Sequence, residues 1–99
     1  MGQKKYYILF CYDISNNNKR NKIYRMMKKY TFPVQKSVFE AVIDDKIVGQ
    51  IIYKASKILD YRTDSLRLYK FQNLTNISIQ NLGIDKNSPF ENDSNVIIK

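Results

Sequence analysis

A chain of 99 residues is long enough for one domain with a modest core, and 43% hydrophobic with 13% aromatic residues excludes a disordered tail. The lack of His rules out Cys-His and Ser-His catalysis, and a single cysteine, Cys11, rules out an intramolecular disulfide. The net charge of +8 is regional: residues 1–36 hold nine basic residues and one acid, Asp13, whereas residues 37–99 hold eight of each.

The first predicted strand is the apolar run from Tyr6 to Tyr12, and Asp13 follows it at once. Because both alternating faces of the run are apolar, we expect a central strand that is covered on both sides. After a polar loop with capping residues, a helix is predicted from an apolar stripe with i, i+3, i+4, i+7 spacing, formed by Ile23, Met26, Met27 and Tyr30. The basic residues of this helix lie largely outside the stripe.

The next elements are a strand from Val34 to Val42, which Pro33 opens, and an amphipathic helix after the acids Asp44 and Asp45. A strand from Ser65 to Phe71, a turn at residues 72–73 and a strand at residues 74–80 follow. The order βαβαββ predicts a small α+β sandwich with the helices on one face of the sheet. Periodicity leaves open whether residues 40–45 contain the end of a hairpin.

The chain has too few apolar residues in a row for a transmembrane span and no signal-peptide pattern at its start, so we expect a cytoplasmic protein without a membrane partner. The domain is predicted to occupy residues 1–83. Residues 84–99 are predicted to form a polar linker and a short C-terminal strand, residues 96–98. Because the apolar sheet face without helices would cost about 25 cal/mol per Å² in water, we expect a homodimer packed through the sheet faces, with each C-terminal strand pairing with the partner chain.

Asp13 is the candidate metal-binding and catalytic residue. A metal ion that assists phosphodiester hydrolysis prefers hard oxygen ligands and usually more than one carboxylate. A two-fold axis near the end of the first strand would bring two copies of Asp13 together. From the residues alone, a role in capping the loop that follows remains the simpler interpretation, and the basic charge by itself equally fits a solvated, lysine-rich helix face.

Four blocks of the chain together resemble the small CRISPR-associated adaptation protein family, Cas2. These blocks are Tyr12 to Ser15, Lys19 to Lys22, Val34 to Glu40 and Asp64 to Tyr69. The resemblance covers residues 6–83 in order, spacing and length. It implies a ferredoxin-like βαββαβ sandwich with an extra C-terminal strand, assembled as a symmetric dimer.

The resemblance also implies a function. The Cas2 family is associated with magnesium-dependent endonuclease activity on single-stranded RNA or double-stranded DNA, and its dimer bridges the CRISPR integrase, of the Cas1 family, during spacer acquisition. By resemblance, Asp13 is the catalytic and Mg²⁺-binding residue. Positions near the dimer cleft are matched by Ser15, Arg20, Ser37, Phe39, Ser65 and Arg67. Lys19, Arg20, Lys22 and Arg25 are the predicted nucleic-acid-binding residues.

Two other functions stay open at this point. A non-catalytic scaffold that holds duplex DNA and the integrase would use the same basic residues and would not need Asp13. A ribonuclease toxin of the VapD type would share the fold and lack the integrase partner.

Overall fold

In a computed structural model, which describes residues 4–84, the chain forms a five-stranded antiparallel sheet with two helices. The elements are β1 (Lys5–Asp13), α1 (Asn17–Tyr30), β2 (Phe32–Gln35), β3 (Val38–Asp44), α2 (Asp45–Ile58), β4 (Ser65–Asn73) and β5 (Asn76–Gly83). The strand order across the sheet is β2-β3-β1-β4-β5. The predicted α+β, ferredoxin-like arrangement is confirmed as βαββαβ followed by one more strand, β5. The predicted C-terminal strand at residues 96–98 lies outside the described residues.

β1 is central, as predicted, and pairs in antiparallel register with β3 on one side and β4 on the other. Ile8 and Phe10 lie on its helix side with no exposed surface. The opposite side of β1 is not covered within the described chain, since 37% of Tyr7 is exposed. Residues 4–84 of one chain therefore cover β1 on the helix side only, and the cover expected from a second copy on the other side stays a prediction.

Both helices begin where the polar residues predict. The side chain of Asn16 accepts a hydrogen bond from the Lys19 N–H (2.9 Å) and caps α1, and Asp44 Oδ1 accepts one from the Ile47 N–H (3.0 Å) and caps α2. The core-facing residues of α1 are Ile23, Met26 and Met27, and those of α2 are Val48, Ile51 and Ala55. The helical stripes in the sequence therefore mark the buried faces of both helices.

The strand predicted from Val34 to Val42 is instead a hairpin, in which β2 and β3 are joined by a turn at Lys36 and Ser37. The alternation of residue types continues through this turn, and the turn lacks the Gly or Asn that would have marked it. β1 holds the turn in place: the Tyr12 N–H donates to the Ser37 carbonyl oxygen (3.1 Å) and the Tyr12 hydroxyl donates to the Lys36 carbonyl oxygen (3.3 Å). The hairpin end considered for residues 40–45 is absent, because β3 runs unbroken to Asp44.

The turn between β4 and β5 lies at Leu74 and Thr75, two residues later than predicted. Asn73 Oδ1 accepts hydrogen bonds from the backbone N–H of Thr75 (2.9 Å) and from its hydroxyl (3.1 Å), which is the local pairing that favours a turn after asparagine. Leu74 at the tip is 98% exposed. The last strand therefore starts at Asn76 and ends at Gly83.

The end of β5 lies close against the start of β4. Gly83 has φ +87°, and a Cβ atom there would lie 2.0 Å from the backbone oxygen of Asp64. Asp64 is buried, and its Oδ2 accepts a hydrogen bond from the Asp60 N–H (2.8 Å). The close contact between Gly83 and Asp64 helps to hold the start of β4 in place, where Ser65 pairs with Asp13. Between residues 4 and 84, neither helix has the length and apolar character needed to span a bilayer.

Candidate nucleic-acid and metal site at the end of β1

Asp13 is the last residue of β1, is exposed, and lies opposite Ser65 of β4 in the sheet register. It borders a small cavity of about 240 Å³. The cavity is lined by Tyr12, Asp13, Ile14, Arg20, Lys36 and Ser37. Of these six side chains, Arg20 and Lys36 are cationic and Asp13 is the carboxylate. The cavity therefore combines a hard oxygen ligand with the positive charge that attracts a phosphate group.

Arg20 holds the loop that follows Asp13. Its Nη1 donates hydrogen bonds to the carbonyl oxygens of Ile14 (2.8 Å) and Ser15 (3.1 Å), and its Nη2 donates to Asn17 Oδ1. These three acceptors are neutral, so the hydrogen bonds fix the guanidinium group without cancelling its charge. Arg20 was predicted to bind nucleic acid, and the structure gives it a second task, the positioning of the backbone next to Asp13.

The other predicted basic residues lie along α1 at a spacing of three, which places them on neighbouring turns of one helix side. Lys22 and Arg25 are exposed, and Lys19 is half-buried. The pKa of Asp60 is lowered, first by hydrogen bonds from Arg62 and to a smaller extent by the positive charge of Lys19. Lys19, Lys22 and Arg25 are called the basic ridge below.

The predicted cleft residues occupy different environments. Ser37 lines the Asp13 cavity, and Ser15 lies exposed in the loop after Asp13. Ser65 is buried beside Asp13 in the register, and Arg67 is half-buried on the sheet face without helices. Phe39 has no exposed surface: its ring stacks on Tyr12 at 6.0 Å and meets Tyr24 edge-on at 5.4 Å between ring centres. Phe39 thus supports the site from beneath.

Two residues that the sequence did not single out also belong to this corner. Lys36 reaches the Asp13 cavity because the β2–β3 turn lies beside the end of β1, and Tyr12 forms part of the cavity wall. Because one continuous strand was predicted here, Lys36 was assigned to a strand face and its place in the Asp13 cavity was missed. A turn signal at Lys36 and Ser37 would have revealed it.

Cys11, two residues before Asp13, is a structural residue. Burial raises the pKa of its thiol, and the nearby charge of Arg67 lowers it by a smaller amount. The thiol is therefore protonated at neutral pH and is not the form that attacks phosphorus or binds metal.

A metal site within one protomer would be incomplete. Among residues 4–84, no group of three or more His, Cys, Asp and Glu side chains is arranged to hold a metal ion. The Asp13 cavity offers one carboxylate and the hydroxyl of Ser37. Mg²⁺ keeps several water molecules and is commonly bound through one or two carboxylates together with substrate phosphates, so the donor set fits Mg²⁺ when two such sites are combined.

The sheet has a second face, opposite the helices. The alternation of β1 places Asp13 on the same face as Tyr7, Leu9 and Cys11. Tyr7 lies between Val42 of β3 and Phe71 of β4 in the register, and its ring meets that of Phe71 at 5.4 Å. This half-exposed surface, largely apolar but also carrying Glu40 and Arg67, is called the open face below and ends at Asp13.

Comparison with known proteins identifies relatives of this chain. Residues 6–76 match the sequence model of the family described as CRISPR associated protein Cas2. The CRISPR-associated endoribonuclease Cas2 2 of Thermodesulfovibrio yellowstonii is 32% identical over 75 residues, which are 76% of this chain and 82% of that protein. The CRISPR-associated endonuclease Cas2 2 of Thermus thermophilus is 35% identical over 69 residues, which are 70% of this chain and 74% of that protein.

Solved structures agree with the fold. A hypothetical protein from Thermus thermophilus superposes with a TM-score of 0.67 and 32% identity, covering 70% of this chain and 84% of its own. Streptococcus pyogenes Cas2, in a crystal structure at pH 6.5, superposes with a TM-score of 0.56 over 88% of this chain and 93% of its own. At 21% identity, this second similarity supports the fold alone.

Proposed function

We propose that this chain, which belongs to the CRISPR-associated Cas2 family, is a metal-dependent endonuclease of CRISPR adaptation that cleaves single-stranded RNA or double-stranded DNA. The observation that carries the proposal is the cavity at the end of β1, where Asp13 lies with Arg20, Lys36 and Ser37. The relatives named endoribonuclease and endonuclease support nuclease activity for this chain.

Each residue of the cavity has its own role in the proposed reaction. Asp13, and the Asp13 of a second copy, would hold Mg²⁺. When bound there, the ion supplies Lewis-acid stabilisation of the charge that develops on the phosphoryl oxygens. Arg20 and Lys36 add positive charge on the same side, which orients the scissile phosphate and favours its more negative transition state. Ser37 offers a hydroxyl that can donate to a phosphate oxygen.

A homodimer through the open face is part of the proposal. The apolar side chains of this face would be removed from water by a second copy, and the free energy gained would favour association. Asp13 lies on the same side of β1 as the open face, so a two-fold axis near the strand ends would bring the two carboxylates towards one another. The basic ridge of α1 lies elsewhere on the protomer and would contact the phosphates of a longer nucleic acid.

One observation favours a second candidate function, in which the dimer is a scaffold that holds DNA and bridges the integrase without cutting. The Asp13 cavity contains one carboxylate, and no cluster of three candidate ligands occurs within residues 4–84. Under this alternative, the basic ridge carries the function and Asp13 is dispensable for integration.

The test compares wild type with two isosteric variants, Asp13→Asn and Asp45→Asn. Asp45 is an exposed carboxylate at the start of α2, so its replacement removes the same charge away from the cavity. Labelled single-stranded RNA and duplex DNA are incubated with each protein, with Mg²⁺ and with a chelator. We expect metal-dependent cleavage by wild type and Asp45→Asn, and none by Asp13→Asn, which should still bind both substrates because its site is more positive.

Equal cleavage by all three proteins removes Asp13 from the mechanism. Cleavage by none of them supports the scaffold, and the next readout is then spacer integration by the integrase in the presence of each variant. Integration that survives Asp13→Asn but fails when Lys22 and Arg25 are both replaced by Gln assigns the function to the basic ridge.

A further inference from the structure

A larger groove adjoins the Asp13 cavity, between α1 and β2 on the helix side of the sheet. Its volume is about 510 Å³, within the range of about 300–1,000 Å³ that sites for small organic ligands have. The groove and the Asp13 cavity share three lining residues, Tyr12, Arg20 and Lys36. A ligand in the groove would therefore extend directly to Asp13.

The walls of the groove are aromatic and apolar. Tyr24 of α1 forms one wall, and Pro33 and Val34 of β2 form the other. Val34 is 49% exposed, although it belongs to a sheet. The ring of Tyr24 rests edge-on against the buried ring of Phe39, which fixes its orientation. A flat ring inserted here would find an aromatic surface that is already in place.

The groove is bordered by positive charge at both ends. At the end nearest Asp13, it is bordered by the cations of Arg20 and Lys36, and at the Tyr24 wall the Nζ of Lys28 lies 5.5 Å from the ring centre. Among residues 4–84, no carboxylate lines the groove. Charge complementarity therefore selects an anionic ligand, and the aromatic and apolar walls favour one that also carries a flat ring.

Two amides complete the lining. Asn21 of α1 and Gln35 of β2 both line the groove. A side-chain amide carries a carbonyl acceptor and an NH₂ donor, the combination that pairs with the edge of a nucleic-acid base. Flat ring, hydrogen-bonding edge and terminal phosphate are together the chemistry of a nucleotide.

We propose that the groove binds one unpaired nucleotide of the substrate strand, with its base between Tyr24 and Pro33 and its phosphate at Arg20 and Lys36, next to Asp13. The inference rests on the proposed function and narrows its substrate to strands that are single, frayed or bulged at the cleavage point. A base inside a duplex is stacked and paired, and extruding it costs a few kcal/mol. The groove thus acts as the specificity determinant of the nuclease.

Dimer formation through the open face leaves the groove accessible. Tyr12 and Tyr24 belong to the helix side of the sheet, where both rings contact the core residue Phe39. The open face lies on the other side of the same strands. Each protomer of the dimer therefore keeps its own groove.

The main test introduces a negative charge into the groove with a matched control outside it. Gln35→Glu and Gln50→Glu are the same nearly isosteric change at two exposed positions, and Gln50 lies on α2 away from the groove. Both are made in the Asp13→Asn protein, so that binding is measured without cleavage. The probes are a fluorescein-labelled single-stranded RNA of about ten nucleotides, and the same RNA annealed to its complement, read by fluorescence anisotropy at low salt.

We expect Gln35→Glu to weaken binding of the single strand about tenfold because like charges are brought together, and to leave duplex binding within about twofold. Gln50→Glu should change neither by more than about twofold. Equal weakening of both probes by the two variants would overturn the proposal, since it would show a general effect of charge. Unchanged binding of the single strand by Gln35→Glu would overturn it as well.

Substitutions of Tyr24 provide a second, independent test of the proposal. Tyr24→Leu removes the ring and should weaken binding of the single strand about tenfold, the effect expected for the loss of one base stack, whereas Tyr24→Phe keeps the ring and should bind within about twofold of the parent. A general loss of structure would lower the affinity for both probes together, so the ratio of single-strand to duplex affinity isolates the groove. A ratio that stays constant in Tyr24→Leu contradicts the proposal.

Failure of this inference and failure of the proposed function give different results. Cleavage that depends on Asp13 but is insensitive to Gln35→Glu and Tyr24→Leu leaves the nuclease in place and removes the nucleotide site. Selective single-strand binding that depends on Gln35 and Tyr24, in a protein that cuts nothing, keeps the nucleotide site and removes the nuclease.

Discussion

On the helix side of the sheet, Phe10 and Phe39 have no exposed surface, whereas on the open face 37% of Tyr7 and 63% of Val42 are exposed. Both faces are built from the same strands, and neighbouring residues of β1 alternate between them. The difference shows that the helix side supplies the core of the protomer, while the open face has apolar surface left for an external contact. The candidate site lies at the end of β1, where both faces terminate.

The largest expected effect is on the helix side. Phe10→Ala should lower the free energy of unfolding by about 3–5 kcal/mol, because a fully buried ring is removed and a cavity remains. That is a large fraction of the total stability of a small domain, about 5–15 kcal/mol. Urea unfolding followed by circular dichroism measures the change, with Val42→Ala as the control on the open face. A smaller loss for Phe10→Ala than for Val42→Ala would reverse the comparison between the faces.

The next prediction concerns the dimer contact proposed for the open face. Val42→Lys should raise the dissociation constant of the dimer by at least about a hundredfold, because it takes a charged ammonium group out of water into a largely apolar interface. The chain should still fold, since residue 42 is exposed in the protomer. Sedimentation should then give the mass of one chain, 11.8 kDa, and cleavage should fall with the loss of the paired Asp13 residues.

Val34→Lys is the matched control for this change, because Val34 is 49% exposed and lies on the helix side. It should leave the dimer intact. Dissociation caused equally by both variants would mean that the two faces do not differ in assembly. A wild-type protein that sediments as one chain would remove the dimer from the proposal.

The smallest effect is a dependence of stability on alkaline pH. Burial raises the pKa of the Cys11 thiol and of the Tyr12 phenol, and burial together with a hydrogen bond to Glu40 raises that of Tyr7. Each group holds its proton more tightly in the folded chain, so its ionisation favours unfolding. The contribution of Cys11 is therefore present below pH 9.0 and that of the two tyrosines below pH 10.0, their ordinary pKa values, and each is lost as the pH rises above that value.

Urea unfolding of wild type and Cys11→Val at neutral pH and at about pH 10 measures this contribution. The free energy of unfolding should fall between the two conditions in both proteins, and less in Cys11→Val, which lacks the thiol. An equal fall in both would assign the alkaline loss to the tyrosines and remove Cys11 from it. An increase in stability with pH would contradict the direction of all three pKa shifts.

Several features could be predicted because local chemistry determines them. The stripe of Ile23, Met26 and Met27 marked the buried face of α1, and Asp44 marked the start of α2, since helical periodicity and capping involve residues within one or two turns. Asp13 stood out as a lone carboxylate after an apolar strand. These are properties of short segments, so no distant contact was needed to infer them.

The β2–β3 turn could not be inferred in the same way. Neither Lys36 nor Ser37 is the Gly or Asn that marks a short hairpin turn. The turn is held by Tyr12 of β1, which donates hydrogen bonds to the backbone carbonyl groups of both residues. The same contact brings Lys36 to Asp13 and creates the groove beside Tyr24. Sequence could therefore supply the carboxylate and the basic helix, but it could not place Lys36 in the site.

By itself, the sequence determined the amphipathic helices, the central apolar strand and the regional positive charge, because each depends on the spacing of residue types along one segment. The tertiary structure decided which side chains of different segments share a cavity. It placed Asp13 with Arg20 and Lys36, buried Phe39 beneath Tyr12 and Tyr24, and left the open face uncovered. The physical reason is that strand pairing and core packing join residues far apart in the chain, whereas the pattern within one segment does not specify which other segment it will contact.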